Sequence, residues 1–154
     1  MLSVPVTLFA ATLEELKQRS AAKRESAALW AGAVSGNIWS AARVFYHHEL
    51  CDDAASALSL ELTESAKFFL YTHLAKQGLR LIALLHTHPG KWVGLSLVDA
   101  SNQISSCEGF WSIVIPRYAR RPWRLRSMGF HMRVECGWHR LSPTEIAARV
   151  RIKD

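Results

Sequence analysis

The segment LRLIALLHTHPGKWVGLSLVD, residues 79–99, carries the strongest pattern in the chain. Its first part, Leu79 to Leu85, is almost wholly apolar, which is typical of a strand buried on both faces. His86 and His88 follow directly and flank a single threonine. Because successive side chains of a strand point to opposite faces, both imidazoles project from the same face of the strand end. The sequence therefore predicts two histidines held side by side on a rigid element.

The same segment supplies a carboxylate. Asp99 lies eleven residues after His88, beyond a loop with two glycines, and can return towards the histidines. Two imidazoles and one carboxylate, with a fourth position left open, are typical of a catalytic zinc site. Zinc lowers the pKa of a bound water from about 15.7 to about 7, so hydroxide is available at neutral pH. We therefore predict one catalytic Zn²⁺ with His86, His88 and Asp99 as its protein ligands.

Ser96 precedes Asp99 by three residues. If a helix begins here, the two side chains share one face, and the Ser96 hydroxyl can point towards the metal site. A hydroxyl in that place could stabilise a developing oxyanion. We therefore predict a catalytic role for Ser96.

Upstream of this segment, strand and helix patterns alternate. Thr12 is expected to cap a helix that reaches Lys23, because Glu15 follows at the spacing of a capping box. The dipeptide Ser35-Gly36 separates two apolar runs, which predicts a hairpin. The predicted strands in this half are residues 4–9, 26–34, 37–46 and 58–62.

Directly before the segment, a helix is predicted at residues 63–77, with Gly78 as its stop. Ser142 opens a terminal helix, with Pro143 at its first position and Glu145 closing a capping box. Further strands are predicted at residues 79–85 and 111–115, with one or two more within 128–138. The whole pattern predicts an α/β fold, in which a mixed β-sheet of about six to eight strands is flanked by helices as a sandwich.

The composition, with 49% hydrophobic and 21% charged residues over 154 positions, fits one domain spanning residues 1–154. A (β/α)₈ barrel needs roughly 250 residues and is excluded. No apolar run reaches the roughly 18 residues of a membrane span. The formal charge of +6 favours acidic partners without naming one. The three cysteines form no CxxC pair, so we expect free thiols in a cytoplasmic protein, with Cys51 and Cys107 buried.

The spacing His86-x-His88-Pro89, six residues, Ser96, two residues, Asp99 resembles the motif of the JAMM (MPN+/JAB) zinc metallopeptidases. The resemblance extends over nearly the whole chain, which looks most similar to bacterial single-domain members. In that family the general acid/base is an upstream glutamate at a strand start, followed by small and hydrophobic residues. Glu25, followed by AALWAG at 27–32, matches this context better than Glu14 and Glu15 in the first helix or Glu49 in a loop. The resemblance thus implies that Glu25 moves the proton during catalysis.

The resemblance also implies a reaction. Members of the family cleave the isopeptide or peptide bond after the C-terminal tail of ubiquitin or a ubiquitin-like protein, and we expect the substrate tail to lie extended beside a strand edge. Either deconjugation or precursor processing would use this chemistry, and a bacterial antiphage ubiquitin-like conjugation system is one setting. Two alternatives stay open: a binding scaffold that holds metal without turnover, and a peptidase that processes a sulfur-carrier protein.

Other patterns are less specific. The segment 117–126 combines arginines with Tyr118 and Trp123, and we favour a solvated basic loop over a nucleic-acid surface, with contact to a protein substrate as a third interpretation. Trp92 could line a substrate groove or pack in the interior. A second, structural zinc would need a fourth ligand that is not evident, so packing is favoured for His131, Cys136 and His139. The arginines of segment 117–126 are Arg117, Arg120, Arg121, Arg124 and Arg126. The oligomeric state of the protein is left open.

Overall fold

The computed structural model describes residues 1–51, 61–101 and 104–154. Within these residues, eight strands form one mixed sheet in the order β7-β6-β5-β4-β2-β3-β1-β8. In chain order the strands are β1 (Leu2–Pro5), β2 (Ala27–Ser35), β3 (Ile38–Tyr46), β4 (Arg80–Thr87), β5 (Trp111–Ile115), β6 (Gly129–Val134), β7 (Gly137–Arg140) and β8 (Val150–Lys153). The sheet therefore reaches the upper end of the predicted range.

Helices cover both faces of this sheet. On one face, the indole nitrogen of Trp30 in β2 donates a hydrogen bond to the hydroxyl of Thr12 in the first helix at 3.0 Å. Phe45 pairs with Leu29 and so points to the opposite face, where its ring meets that of His73 in the third helix at 5.8 Å between centroids. The predicted mixed sheet flanked by helices is confirmed. The helices are α1 (Val6–Arg19), α2 (His47–Leu50), α3 (Glu64–Lys76), α4 (Leu97–Ser101) and α5 (Pro143–Arg149).

The central strand β4 ends at the histidines. It runs antiparallel to β2, with Ala27 opposite His86, and parallel to β5, with His86 opposite Val114. Residues 81–87 of this strand are all buried, as an apolar run with neighbours on both sides requires. The strand therefore holds its last residues firmly in the middle of the sheet.

The N-terminal prediction is wrong in two places. β1 ends at Pro5 and α1 begins at Val6, so residues 6–9 are helical and Thr12 is not a cap. Thr12 lies inside α1, where its hydroxyl donates to the carbonyl of Leu8 at 2.7 Å. A short apolar run such as the one around Phe9 fits a strand and a buried helix equally well, so its period alone could not separate them.

The other elements follow the sequence more closely. β2 and β3 form the predicted hairpin, and Gly36 has a φ of +55° in its turn. The region 128–138 holds two strands, β6 and β7. The chain ends in β8, which pairs in parallel with β1 and was not predicted. Residues 58–60 of the strand predicted at 58–62 lie outside the described residues, and residues 61 and 62 are in no strand.

Two further expectations concern cysteines and membranes. Cys107 is exposed and Cys51 only half-buried, so the prediction that both are buried is wrong. All three thiols are free, as expected. Among the described residues, no helix combines the length and the apolar character that crossing a bilayer requires.

Candidate metal centre

The two predicted histidines lie at the end of β4 and share one face of the sheet. His86 is the penultimate residue of β4, and His88 is the first residue after the strand. Both are buried, with 1% and 6% of their surface exposed. The amide of His88 donates to the carbonyl of Ile115 at the end of β5 at 2.9 Å, so the strand end stays anchored beyond its last residue.

His86, His88 and Asp99 converge as the sequence predicts. The Nε2 atoms of the two histidines are 3.2 Å apart. Oδ1 of Asp99 is 3.4 Å from Nε2 of His86, and Oδ2 is 3.4 Å from Nε2 of His88. Zinc bound tetrahedrally at about 2.0–2.1 Å has ligand atoms roughly 3.3–3.4 Å apart. Each of the three contacts therefore has a separation close to that of two zinc ligands, with one carboxylate oxygen of Asp99 facing each histidine.

Asp99 is oriented by the start of α4. The Ser96 amide donates to Oδ2 of Asp99 at 2.8 Å, and the Asp99 amide donates to Oγ of Ser96 at 3.1 Å. The reciprocal pair resembles a capping box, and it explains why the two residues are three apart. Within the described part of the chain, the hydroxyl proton of Ser96 has no acceptor, so it stays available to another group.

His88 is oriented by its other ring nitrogen. Its Nδ1 lies 3.1 Å from the carbonyl oxygen of Trp92, which can only accept a hydrogen bond. A neutral imidazole that donates from Nδ1 presents a lone pair at Nε2, the tautomer that a metal requires. The Trp92 ring stacks on the imidazole at 5.2 Å and 11°. Trp92 remains 57% exposed, so its ring both packs on His88 and faces solvent.

The charge distribution favours an ionised carboxylate. Burial raises the pKa of Asp99, but hydrogen bonds with His86 and His88 and with the Ser96 amide outweigh it and hold the pKa well below its usual range. For His88, burial lowers the pKa, whereas the hydrogen bond and charge of Asp99, the Trp92 carbonyl and the charge of Glu25 raise it, with a net increase. The cluster therefore places negative charge where a cation would be bound.

Glu25 lies two residues before β2 and beside this cluster. Ala27 is opposite His86 in the antiparallel pair, and the Thr87 amide donates to the carbonyl of Ser26 at 3.0 Å. Continuing this register places Glu25 next to His88, on the face that carries both histidines. The carboxylate is exposed and borders a surface cavity of about 310 Å³.

Sequence reasoning missed a turn that braces the site. Arg117, Tyr118 and Ala119 all have positive φ values, of 55°, 53° and 56°. The Tyr118 amide donates to the carbonyl of His88 at 2.9 Å, and its hydroxyl donates to the carbonyl of Lys23 at 3.0 Å. Left-handed backbone is uncommon without glycine, so sequence patterns give little signal for it. The arginines of segment 117–126 are exposed, and Arg121 pairs with Glu14 at 3.3 Å.

His131 is a buried neighbour of the cluster. It lies on β6 opposite Ser112, whose carbonyl is 3.3 Å from its Nδ1. Burial lowers the pKa of His131 to about 4, so the ring is neutral at pH 7. The sequence favours packing in the core for His131, Cys136 and His139. This is confirmed for His131 and wrong for Cys136 and His139, which are exposed. Among the described residues, the one group of side chains suited to hold a metal ion is His86, His88 and Asp99.

Comparison with solved structures supports the fold. A protein from Desulfitobacterium hafniense matches with a TM-score of 0.65 and 16% identity, covering 100% of this chain and 94% of that one. A protein from Salinibacter ruber matches with a TM-score of 0.59 and 14% identity, covering 100% and 92%. A JAB1/MPN domain protein from Archaeoglobus fulgidus matches with a TM-score of 0.55 and 13% identity over 99% of both chains.

The chain has a JAB1/MPN-like fold. No protein-family model matches its sequence. At 13–16% identity these structures are evidence for the fold alone, so the chemistry has to be argued from the residues of this chain. The His86, His88 and Asp99 cluster is compatible with a metallopeptidase on that fold.

Proposed function

We propose that this protein is a zinc-dependent metallopeptidase of the JAMM type, which cleaves after the C-terminal tail of a ubiquitin or ubiquitin-like protein. One observation carries the proposal: two imidazole nitrogens and a carboxylate lie 3.2–3.4 Å apart at the end of one strand. Glu25, two residues before the neighbouring strand β2, lies close enough for its charge to raise the pKa of His88. The motif resemblance and the JAB1/MPN-like fold support the class of reaction.

In this proposal the residues that would hold the metal are His86 and His88, each through Nε2, and Asp99 through its carboxylate. When bound, zinc polarises the scissile carbonyl and lowers the pKa of the attacking water. Glu25 accepts the proton of that water and passes it to the leaving amine. The Ser96 hydroxyl donates to the oxyanion that develops on the carbonyl oxygen.

The substrate class rests on the motif. A tail that ends in small residues can lie extended and reach a buried metal site, because backbone hydrogen bonds hold it while no large side chain has to pass. The ring of Trp92 stacks on His88 and is 57% exposed, so in this proposal it lines the route of the tail. The reaction serves deconjugation or precursor processing in the cytoplasm, and the setting we propose is a bacterial antiphage ubiquitin-like conjugation system.

The test combines metal analysis with a cleavage assay. The purified chain is loaded with zinc and given ubiquitin-like proteins joined through their terminal glycine to a peptide or to a lysine side chain. We expect about one zinc per chain and cleavage that a chelator abolishes. Glu25→Gln should lower turnover by about 10²–10⁴ while zinc stays bound. Glu14→Gln is the matched control. Glu14 lies on α1, where it pairs with Lys17 and with Arg121, so its substitution should leave turnover unchanged.

The alternatives give different results. A chain that binds zinc but cleaves none of the conjugates is a scaffold, and the proposal is then wrong. Cleavage confined to a sulfur-carrier protein with a C-terminal extension, included in the same panel, assigns carrier processing instead. Equal rates for Glu25→Gln and the wild type would refute the role of Glu25.

A further inference from the structure

Three buried hydroxyls lie behind the metal cluster, on the opposite face of the sheet. They belong to Ser20 at the end of α1, to Ser26 directly after Glu25, and to Thr87 between the two histidines. Their exposed fractions are 3%, 9% and 0%. Because strand residues alternate, Thr87 points to the α1 side while His86 and His88 point to the metal side. Neither the motif nor the proposed chemistry gives these hydroxyls a role.

The hydroxyls form one chain of hydrogen bonds whose direction is fixed at both ends. The Ser26 amide donates to Oγ1 of Thr87 at 2.9 Å, and the Ser26 hydroxyl donates to the carbonyl of Leu16 at 2.9 Å. With its proton used, the Ser26 hydroxyl must accept from Ser20 at 2.9 Å. The Ser20 hydroxyl in turn accepts from Thr87 at 3.1 Å. The chain starts and ends on Ser26 and runs through Thr87.

This chain adds to a backbone contact between the same two residues. The Thr87 amide donates to the Ser26 carbonyl at 3.0 Å, so both polar groups of the Ser26 backbone are bound to Thr87. The side chain of Glu25, in contrast, receives no hydrogen bond within the described residues. The place of its carboxylate is therefore set by the backbone next to it. Thr87 links that backbone to the strand that carries both histidines.

We propose that Thr87 is a positioning residue, which acts through Ser26 and Ser20 to hold Glu25 at a fixed distance from His86 and His88. The inference rests on the proposed function, because it gives Glu25 a task for which its position matters. Displacing a catalytic group by about 1 Å can cost 10²-fold in rate. The hydroxyl chain keeps a solvent-exposed carboxylate in place from the buried side of the sheet.

The decisive variant is Thr87→Val, with Thr87→Ser as its matched control. Valine keeps the shape but leaves the Ser26 amide without its acceptor and the Ser20 hydroxyl without the donor from Thr87, whereas serine retains the hydroxyl. For Thr87→Val we expect kcat per bound zinc to fall about 10- to 100-fold, with KM and zinc affinity within about twofold of the wild type. Thr87→Ser should stay within about threefold of the wild type in all three quantities.

A double-mutant cycle shows whether Thr87 acts through Glu25. In the Glu25→Gln background, Thr87→Val should lower kcat no further, because the group that it positions has already lost its function. A full additional loss in that background, or an unchanged kcat in the single variant, would overturn the proposal. If Thr87→Val does not fold, Ser20→Ala is the alternative variant. It removes the hydroxyl that links Thr87 to Ser26, and it should also lower kcat.

Two readouts do not depend on peptidase activity. Hydrogen exchange at the Ser26 amide should be at least about tenfold faster in Thr87→Val and unchanged in Thr87→Ser. With Co²⁺ in the site, the pseudocontact shift of the Glu25 amide should change only in Thr87→Val. If the wild type cleaves nothing, the proposed function fails while these readouts still test the positioning. If the exchange rate of the Ser26 amide and the pseudocontact shift of the Glu25 amide are both unchanged in Thr87→Val, the positioning role is wrong even if the peptidase is active.

Discussion

The carbonyl oxygen of Val93 lies directly over the Cα of Gly129, at the start of β6. A Cβ added to Gly129 would be 1.9 Å from that oxygen, so only glycine permits the contact. Val93 belongs to the loop between His88 and Asp99, and Gly129 lies opposite Val114, the neighbour of His86. The close approach therefore fixes the loop that brings the carboxylate back to the histidines.

Gly129→Ala should weaken zinc binding by at least about tenfold. The methyl group forces the Val93 backbone away, which displaces the Trp92 carbonyl from Nδ1 of His88, and outer hydrogen bonds of this kind typically change metal affinity by about 10- to 100-fold. Overpacking of this kind also costs about 1–3 kcal/mol of stability. Competition with a chelator of known affinity measures the first effect, and urea unfolding the second.

The matched control for this substitution is Gly90→Ala, in the loop that contains Val93. A Cβ at Gly90 has no atom within 4 Å, so zinc affinity should stay at the wild-type value. Equal zinc affinities for the two variants would show that the Val93 contact does not position the site.

Ser96→Ala should separate the two roles of its hydroxyl. Loss of the acceptor for the Asp99 amide loosens the carboxylate, and we expect zinc affinity to fall by about tenfold. Loss of the donor to the oxyanion should lower turnover per bound zinc by about 10²–10³-fold. Ser96→Thr keeps both functions and serves as the control. Normal turnover of zinc-saturated Ser96→Ala would leave Ser96 with the capping role alone.

Local rules predict much of this fold, and long-range contacts account for the errors. The hairpin at Ser35-Gly36 and the cap at Ser142 depend on neighbours in sequence, and both form as expected. β8 is only four residues long and exists because it pairs with β1 across the chain. No pattern within four residues reveals such a pairing, and the strand was therefore missed.

The same division applies to the site. Alternation along a strand places His86 and His88 on one face, and the three-residue spacing places Ser96 beside Asp99, so both arrangements follow from the sequence. The contact of Thr87 with Ser26 joins residues 61 apart, and the left-handed turn at Arg117–Ala119 contains no glycine. Features of this kind depend on tertiary packing, which overrides the local preferences of the residues.

Trp92→Ala should weaken zinc binding moderately and leave the fold intact. The indole stacks on His88 at 5.2 Å, and such aromatic pairs contribute about 0.5–1.5 kcal/mol, which corresponds to about tenfold in affinity at most. The Trp92 carbonyl that accepts from His88 belongs to the backbone and is retained. Trp92→Phe should recover most of the affinity because a flat ring can still stack. A zinc affinity unchanged in Trp92→Ala would mean that stacking does not order His88.

The capping box of α5 predicts a pH dependence of stability. Hydrogen bonds from the Ser142 amide, from His139 and from the Ser142 hydroxyl lower the pKa of Glu145 from its usual 4.5 to about 2. Because the folded-state pKa is the lower one, the ionised carboxylate stabilises the fold above about pH 4.5, and the contribution is lost as the pH falls towards 2. Glu145→Gln should therefore be less stable than the wild type at pH 7, and the difference should close between pH 4.5 and 2. Urea unfolding at several pH values tests this, and Ser142→Ala, which removes one of the hydrogen bonds, should move the loss to higher pH. A difference between wild type and Glu145→Gln that stays constant down to pH 2 would contradict the assignment, because it would mean that the carboxylate gains nothing from its partners on folding.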